Sequence, residues 1–179
     1  MELIPYTEDD YELTVALETD PRVMAELGGP LPLDAMPDVH RKRLSTNRRG
    51  DWWLKIVPEE GGPAAGTLGI WPSSWRKADI HETGWMVLPD WQGRGIASAA
   101  LAMLLEMARD EPRFETVHAF PGVTNAASNA LCRSAGFELV EGDAGVGYAG
   151  RTLRCNHWSV RTSSAPAEQR HTQPPRRAG

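Results

Sequence analysis

Gly93-Arg94-Gly95 sets two residues without a Cβ on either side of a guanidinium, just where an apolar run gives way to a helical pattern. Trp85, Met86, Val87 and Leu88 read as the end of a strand. Pro89-Asp90 breaks its ladder, and the apolar spacing from Ile96 predicts a helix to about Asp110. Glycine lets another molecule approach the backbone closely. The first turn of a helix carries N–H groups without an intrahelical partner, at the positive end of its dipole. Such a start is a cradle for phosphate oxygens, and Arg94 can add charge-assisted bonds. A second polar pair is Asn125 and Ser128, three apart and so on one face of a helix predicted over residues 126–135. By itself that pair is equally well read as a helix cap, worth about 0.5–2 kcal/mol.

Two other readings fit the glycine pair. A glycine-softened helix start needs no ligand at all. A dinucleotide-binding turn has the same order of strand, glycines and helix, but its fingerprint wants a third small residue in a turn directly off the strand. It also wants an acid at the end of the next strand, about twenty residues on. Here Ser98 holds the third place, Pro89-Asp90-Trp91-Gln92 intervenes, and Glu115 stands before its strand.

Gln92-x-x-Gly95-x-Ala97, placed after Val87-Leu88-Pro89, resembles the acetyl-CoA pyrophosphate loop of the GNAT acetyltransferase superfamily. Asn125-x-x-Ser128-x-x-Leu131-Cys132-x-x-x-Gly136-Phe137 resembles the second motif of the same superfamily, closest to the branch that contains the ribosomal-protein N-terminal acetyltransferases. Asp20 to Gly29 looks like that branch too, and the likeness covers about residues 1–160. The resemblance implies an α+β fold in three layers, with a mixed, mostly antiparallel sheet of about seven strands flanked by helices. Strands near 80–88 and 116–120 would splay apart to admit acetyl-CoA.

Carried over residue by residue, the backbone of Met86 and Val87 would pair with the pantetheine amides. The amides of Gln92, Gly93, Arg94, Gly95, Ile96 and Ala97 would hold the pyrophosphate, with Ala97 standing where glycine is frequent. Asn125 would bond the pantetheine arm, and Ser128 would lie near the thioester sulfur. The family often has a carboxylate facing the acceptor at the place of Glu82, on the strand that runs into the loop. An attacking amine must first lose a proton, so Glu82 is the candidate base, directly or through water. His81 points to the opposite face of a regular strand. The family often uses a tyrosine acid. Tyr6, Tyr11 and Tyr148 do not follow the helix over 126–135, so Ser128 is the candidate acid or thiolate partner. The implied activity is direct acetyl transfer from acetyl-CoA to an amine, a small molecule or a protein N-terminus, without metal or covalent intermediate. The alternative is a non-catalytic acyl-CoA-binding sensor or interaction domain.

The 179 residues fit one domain, expected over 1–161. Residues 162–179 lack any large apolar side chain and are expected to form a disordered tail. Net charge is −5; Glu168 against Arg170, Arg176 and Arg177 puts +2 in that tail and −7 in the body. An acidic body argues against nucleic acid. No apolar run is long enough to span a bilayer, so no membrane partner is expected, and Met1–Tyr6 lacks the character of a secretory signal. Two cysteines in no metal spacing fit a reduced cytoplasmic protein. A homodimer is compatible with the sequence and not required by it.

In chain order, a strand over residues 1–6 precedes two short helices broken at Asp20-Pro21. A helix over 34–49 follows, whose basic run from His40 to Arg43 reads as a solvated face. Strands are predicted at 52–57, 65–71 and 80–88, with a Ser73-Ser74 loop before the last. Trp71 and Trp75 flank that loop. After the helix over 95–110 come a strand at 116–120 and the helix stopped by Gly136. The last strands, at 137–140 and 151–160, enclose a glycine-rich loop at 142–150. Cys155 and His157 share a strand face without further ligands for zinc. Cys132 reads as core.

Overall fold

The computed structural model describes residues 1–148 and 150–162. Seven strands form one sheet in the order β1-β2-β3-β4-β5-β7-β6. They are β1 (Glu2–Pro5), β2 (Trp52–Val57), β3 (Gly66–Trp75), β4 (Ala78–Val87), β5 (Thr116–Ala119), β6 (Glu138–Tyr148) and β7 (Arg151–Arg161). Every pairing is antiparallel except β4 with β5. Among the described residues four α-helices flank the sheet: α1 (Tyr11–Thr19), α2 (Met36–Arg48), α3 (Ile96–Arg109) and α4 (Ala126–Ser134).

Alternation along the strands assigns the layers. Leu54, Ile56, Leu68, Ile70, Val87, Val117 and Trp158 form one core with Ile96, Ala100, Leu101 and Leu104 of α3 and with Leu131 and Cys132 of α4. The opposite side of the sheet carries Trp53, Trp71, Glu82 and Met86 and is covered in part by α2, on which α1 packs. Burying an apolar face on either side is what ties the layers together, at roughly 25 cal/mol per Å² of apolar surface.

Several local expectations change. The second short helix after Asp20-Pro21 is a turn followed by one 3₁₀ turn, Ala25–Leu27, closed by Gly28 at φ +90°. The basic run is not a solvated face. Helical phase splits it, so Arg41 and Lys42 face solvent while His40 and Arg43 point inward. Arg43 Nη2 donates to Glu18 Oε1 at 2.5 Å, and its Nη1 donates to Tyr6 Oη and Thr14 Oγ1, both at 3.2 Å. A buried guanidinium persists only with such partners.

Ser73 and Ser74 do not form a loop. The β3–β4 hairpin runs through them, with Ser73 opposite Ile80 and Ser74 opposite Asp79, and turns at Arg76-Lys77, both at positive φ. Cross-strand pairing overrides the turn preference of serine here. Pro72 is tolerated because β2 stops pairing at Ile70, so no ladder bond on that side is lost. The glycine-rich segment at 142–148 likewise belongs to a strand, β6, bent by register shifts between Leu139 and Ala144. Thr162, expected in the tail, is buried, and its N–H donates to Glu115 O at 3.0 Å. Residues 163–179 lie outside the described residues.

Candidate active site

The sheet opens between β4 and β5. Their parallel pairing consists of His81 with Val117 and Glu82 with His118, and beyond these rungs the strands part. β4 stays paired to β3 as far as Val87, while β5 is held on its other edge by β7 from Thr116 to Ala119. Leu88 N–H bonds Ala65 O at 2.8 Å, which makes Val87 and Gly66 a non-hydrogen-bonded pair. The N–H of Val87 is thereby turned toward the opening, and its carbonyl accepts from Gln92 Nε2 at 2.8 Å. The Met86 carbonyl lies against Gly66, where a Cβ would come within 2.1 Å of it. Across the gap, Trp85 Nε1 donates to Ser128 Oγ at 3.3 Å, and Asn125 Oδ1 caps α4 by accepting from Ser128 N–H at 2.9 Å. The cap occupies the oxygen of Asn125 and leaves its amide donors.

At the end of β4 the chain makes a 3₁₀ turn, Pro89–Trp91, to whose Pro89 carbonyl the Gln92 N–H bonds at 3.2 Å. Gly93 follows at φ +71° and Gly95 at φ +76°, and among the described residues nothing beyond the adjoining ones would lie within 4 Å of a Cβ at either. Gly95 is the N-cap of α3 and provides no side-chain cap. The amides of the first turn are therefore unclaimed in front of an open surface, as an anion site needs. Arg94 lies over the Trp91 ring at 5.2 Å.

On the far side of the fork Glu82 is half-buried. Burial pushes its carboxyl above the ordinary range, against the opposing Ser73 hydroxyl and Lys42 charge. Trp71 lies opposite it in register and stacks on Trp53 at 4.8 Å. Trp75 packs on Phe120 and His157 instead of flanking a loop. His81 faces the other way, edge-on to Phe114 of the core.

A family model described as an acetyltransferase (GNAT) domain matches residues 1–138. The chain belongs to the GNAT acetyltransferase family. It is an acetyl-CoA-dependent N-acetyltransferase. Among solved structures, a ribosomal-protein-alanine N-acetyltransferase from Brucella melitensis is 28% identical, with TM-score 0.72, over 90% of this chain and 99% of that one. An acetyltransferase from Agrobacterium tumefaciens is 22% identical, with TM-score 0.72, over 89% of each chain. A spermidine N-acetyltransferase from Vibrio cholerae, solved with CoA and spermine, is 15% identical, with TM-score 0.71, over 90% and 95%. The last two likenesses concern the fold. No curated protein matches the chain.

Sequence reasoning passed over Asn129 and His118, and it considered His157 only as part of an incomplete zinc set. Asn129 is buried and fully bonded: Nδ2 donates to Gly122 O and Asn125 O, both at 2.8 Å, while Oδ1 accepts from Asn156 Nδ2 at 2.8 Å and Trp158 Nε1 at 2.9 Å. It ties the start of α4, and so Asn125 and Ser128, to β7. Asn129→Ala should destabilise the fold by about 2–4 kcal/mol in urea unfolding, because buried donors and acceptors lose their partner. The other two are His118 on β5 and His157 on β7, whose Nδ1 and Nε2 are 2.8 Å apart. No spacing in the sequence links them, and only the β5–β7 pairing brings them together. Cys155 lies near Glu82, whose charge adds to the burial that raises its thiol. Among the described residues no group of three or more His, Cys, Asp or Glu could hold a metal. Nor is any described helix long and apolar enough to cross a membrane.

Proposed function

We propose that the acceptor is the α-amine of a protein N-terminus, and that Glu82 removes a proton from it at the fork between β4 and β5. The observation that carries the reading is the fork itself: a half-buried carboxyl stands at its base, on the face turned away from α3 and α4. The cofactor would lie on the α3 side. Gly93, Arg94, Gly95, Ile96 and Ala97 would offer amides to its pyrophosphate, and the Val87 N–H and the amide of Asn125 would serve the pantetheine arm. Met86 and Gln92 would act by shaping that wall, since the Gln92 side chain braces Val87. Ser128, already accepting from the Trp85 indole, is suited to solvate a departing thiolate. The peptide class is supported by the Brucella enzyme, with which the chain shares 28% identity along nearly its whole length. Action in the cytoplasm, apart from nucleic acid and membrane, belongs to the same reading. It is supported by the −7 body charge and by two free, buried thiols.

The test is CoA release from acetyl-CoA, followed with a thiol reagent, over short peptides beginning with Ala, Ser, Thr or Met, together with spermidine and free lysine. Turnover should be fastest with a peptide. Fastest turnover with spermidine or lysine would overturn the peptide class. Acetyl-CoA binding without turnover across the panel would leave an acyl-CoA-binding module in place of an enzyme.

A further inference from the structure

Glu82 and His118 are the last residues paired before the fork opens, so their side chains leave adjacent strands on the same face. His118 is clamped from behind. Its Nδ1 is 2.8 Å from His157 Nε2, and His157 is buried, stacked on Phe120 at 4.6 Å and edge-on to Trp75 at 5.5 Å. Among the described residues the buried Nδ1 of His157 has no partner, and the ring's one polar engagement is His118. His118 itself is half-buried, and its Nε2 makes no protein hydrogen bond among the described residues.

We propose that His118, held by His157, is a second proton acceptor for the amine, working beside Glu82. The proposal rests on the reading of this face as the acceptor side and deepens it. An ammonium loses two protons in becoming a secondary amide. Glu82 takes the first, leaving a lone pair that forms the C–N bond as the carbonyl π pair moves to oxygen. The nitrogen, now positive, gives the second proton to His118 Nε2. The oxygen pair then re-forms the carbonyl and the C–S pair leaves on sulfur. One of the two protons returns to the thiolate and the other goes to water, so ammonium and acetyl-CoA become amide, CoA thiol and one proton.

The surroundings suit this role. Burial and then the His81 charge hold His118 below the ordinary imidazole range. Burial and the His118 charge hold His157 at about 4, with Arg76 adding to the effect and Glu141 opposing it. The titratable and charged groups around the pair are thus Glu82 and His81 on β4, Cys155 on β7, Arg76 of the hairpin turn and Glu141 on β6. Both imidazoles are neutral near pH 7, ready to accept, while burial brings Glu82 up toward them.

A histidine pair that merely completes an interior would affect folding and leave the pH profile alone. With the fastest panel amine at saturation, log kcat in the wild-type chain should rise at low pH with a slope approaching two. His118→Gln should lower kcat on the order of 10²-fold, reduce that slope to one and leave acetyl-CoA affinity unchanged. His157→Gln should lower kcat without raising KM and move the His118 limb to higher pH, as water reaches the ring. A wild-type slope of one with kcat unaltered in His118→Gln overturns this proposal alone. Absence of turnover with every panel amine overturns the acceptor reading as well. Should His118→Gln fail to fold, imidazole NMR of the wild-type chain with acetyl-CoA decides. Glu82→Gln must lower the His118 titration midpoint, and an unmoved midpoint refutes the pairing.

Discussion

Gly95→Val should weaken acetyl-CoA binding by 10²-fold or more in calorimetric titration, with the far-UV spectrum kept. Two effects act at this residue. A β-branched side chain at φ +76° is strained, and its methyls would fill the open space in front of the α3 amides. Losing two hydrogen bonds to a charged group, about 1.5–3 kcal/mol each, gives a fall of roughly 10²–10⁴-fold. Strain by itself has a control in the same chain. Gly136, at φ +84°, also has nothing within 4 Å of its missing Cβ, but it caps the far end of α4. Gly136→Val should lower the melting temperature as Gly95→Val does while binding acetyl-CoA normally. Equal affinity in the two variants would move the pyrophosphate away from α3.

Glu82→Gln should lower kcat on the order of 10²–10⁴-fold while acetyl-CoA affinity stays the same, because the carboxyl lies across the sheet from α3. The pH profile supplies the sign. Glu82 must be ionised to accept a proton, and burial raises its pKa, so the rate climbs as pH rises through that raised value. Glutamine removes this limb and keeps the shape of the side chain. Ser128→Ala should behave differently: its penalty should shrink when the leaving thiol is made more acidic, since it bears on C–S cleavage and not on the amine. A Glu82→Gln enzyme with near-normal kcat would withdraw the base from this carboxyl.

The glycine turn and the start of α3 were legible because they are local. Gly93, Gly95 and the apolar period from Ile96 report a turn and a helix start without any tertiary information, and the Asn125 cap is equally short-range. What escaped is what depends on pairing partners. Ser73 and Ser74 have the composition of a loop, and only their registration against Ile80 and Asp79 makes them strand. Arg43 reads as surface until the phase of α2 and the carboxylate of Glu18 on α1 are known. His118 and His157 stand far apart in the chain, on strands whose adjacency no pattern announces. Nor does any local pattern mark Gly66 and Gly69 as sites where backbone passes so close that a Cβ would lie 2.1–2.2 Å from a carbonyl oxygen.

Two rungs between β4 and β5 have a mechanical consequence. The sheet is in effect two plates, one of four strands and one of three, with a narrow seam between them. What spans that seam broadly is the layer beneath, where Leu101, Leu104 and Phe114 share one buried core with Ile70 of the first plate and Val117 of the second. The angle between the plates, and with it the distance from Glu82 to His118 as they face an incoming amine, is therefore set from the opposite side of the molecule. A methylene removed from the inner face of α3 could tilt one plate against the other and detune the chemistry without touching a residue that any substrate meets.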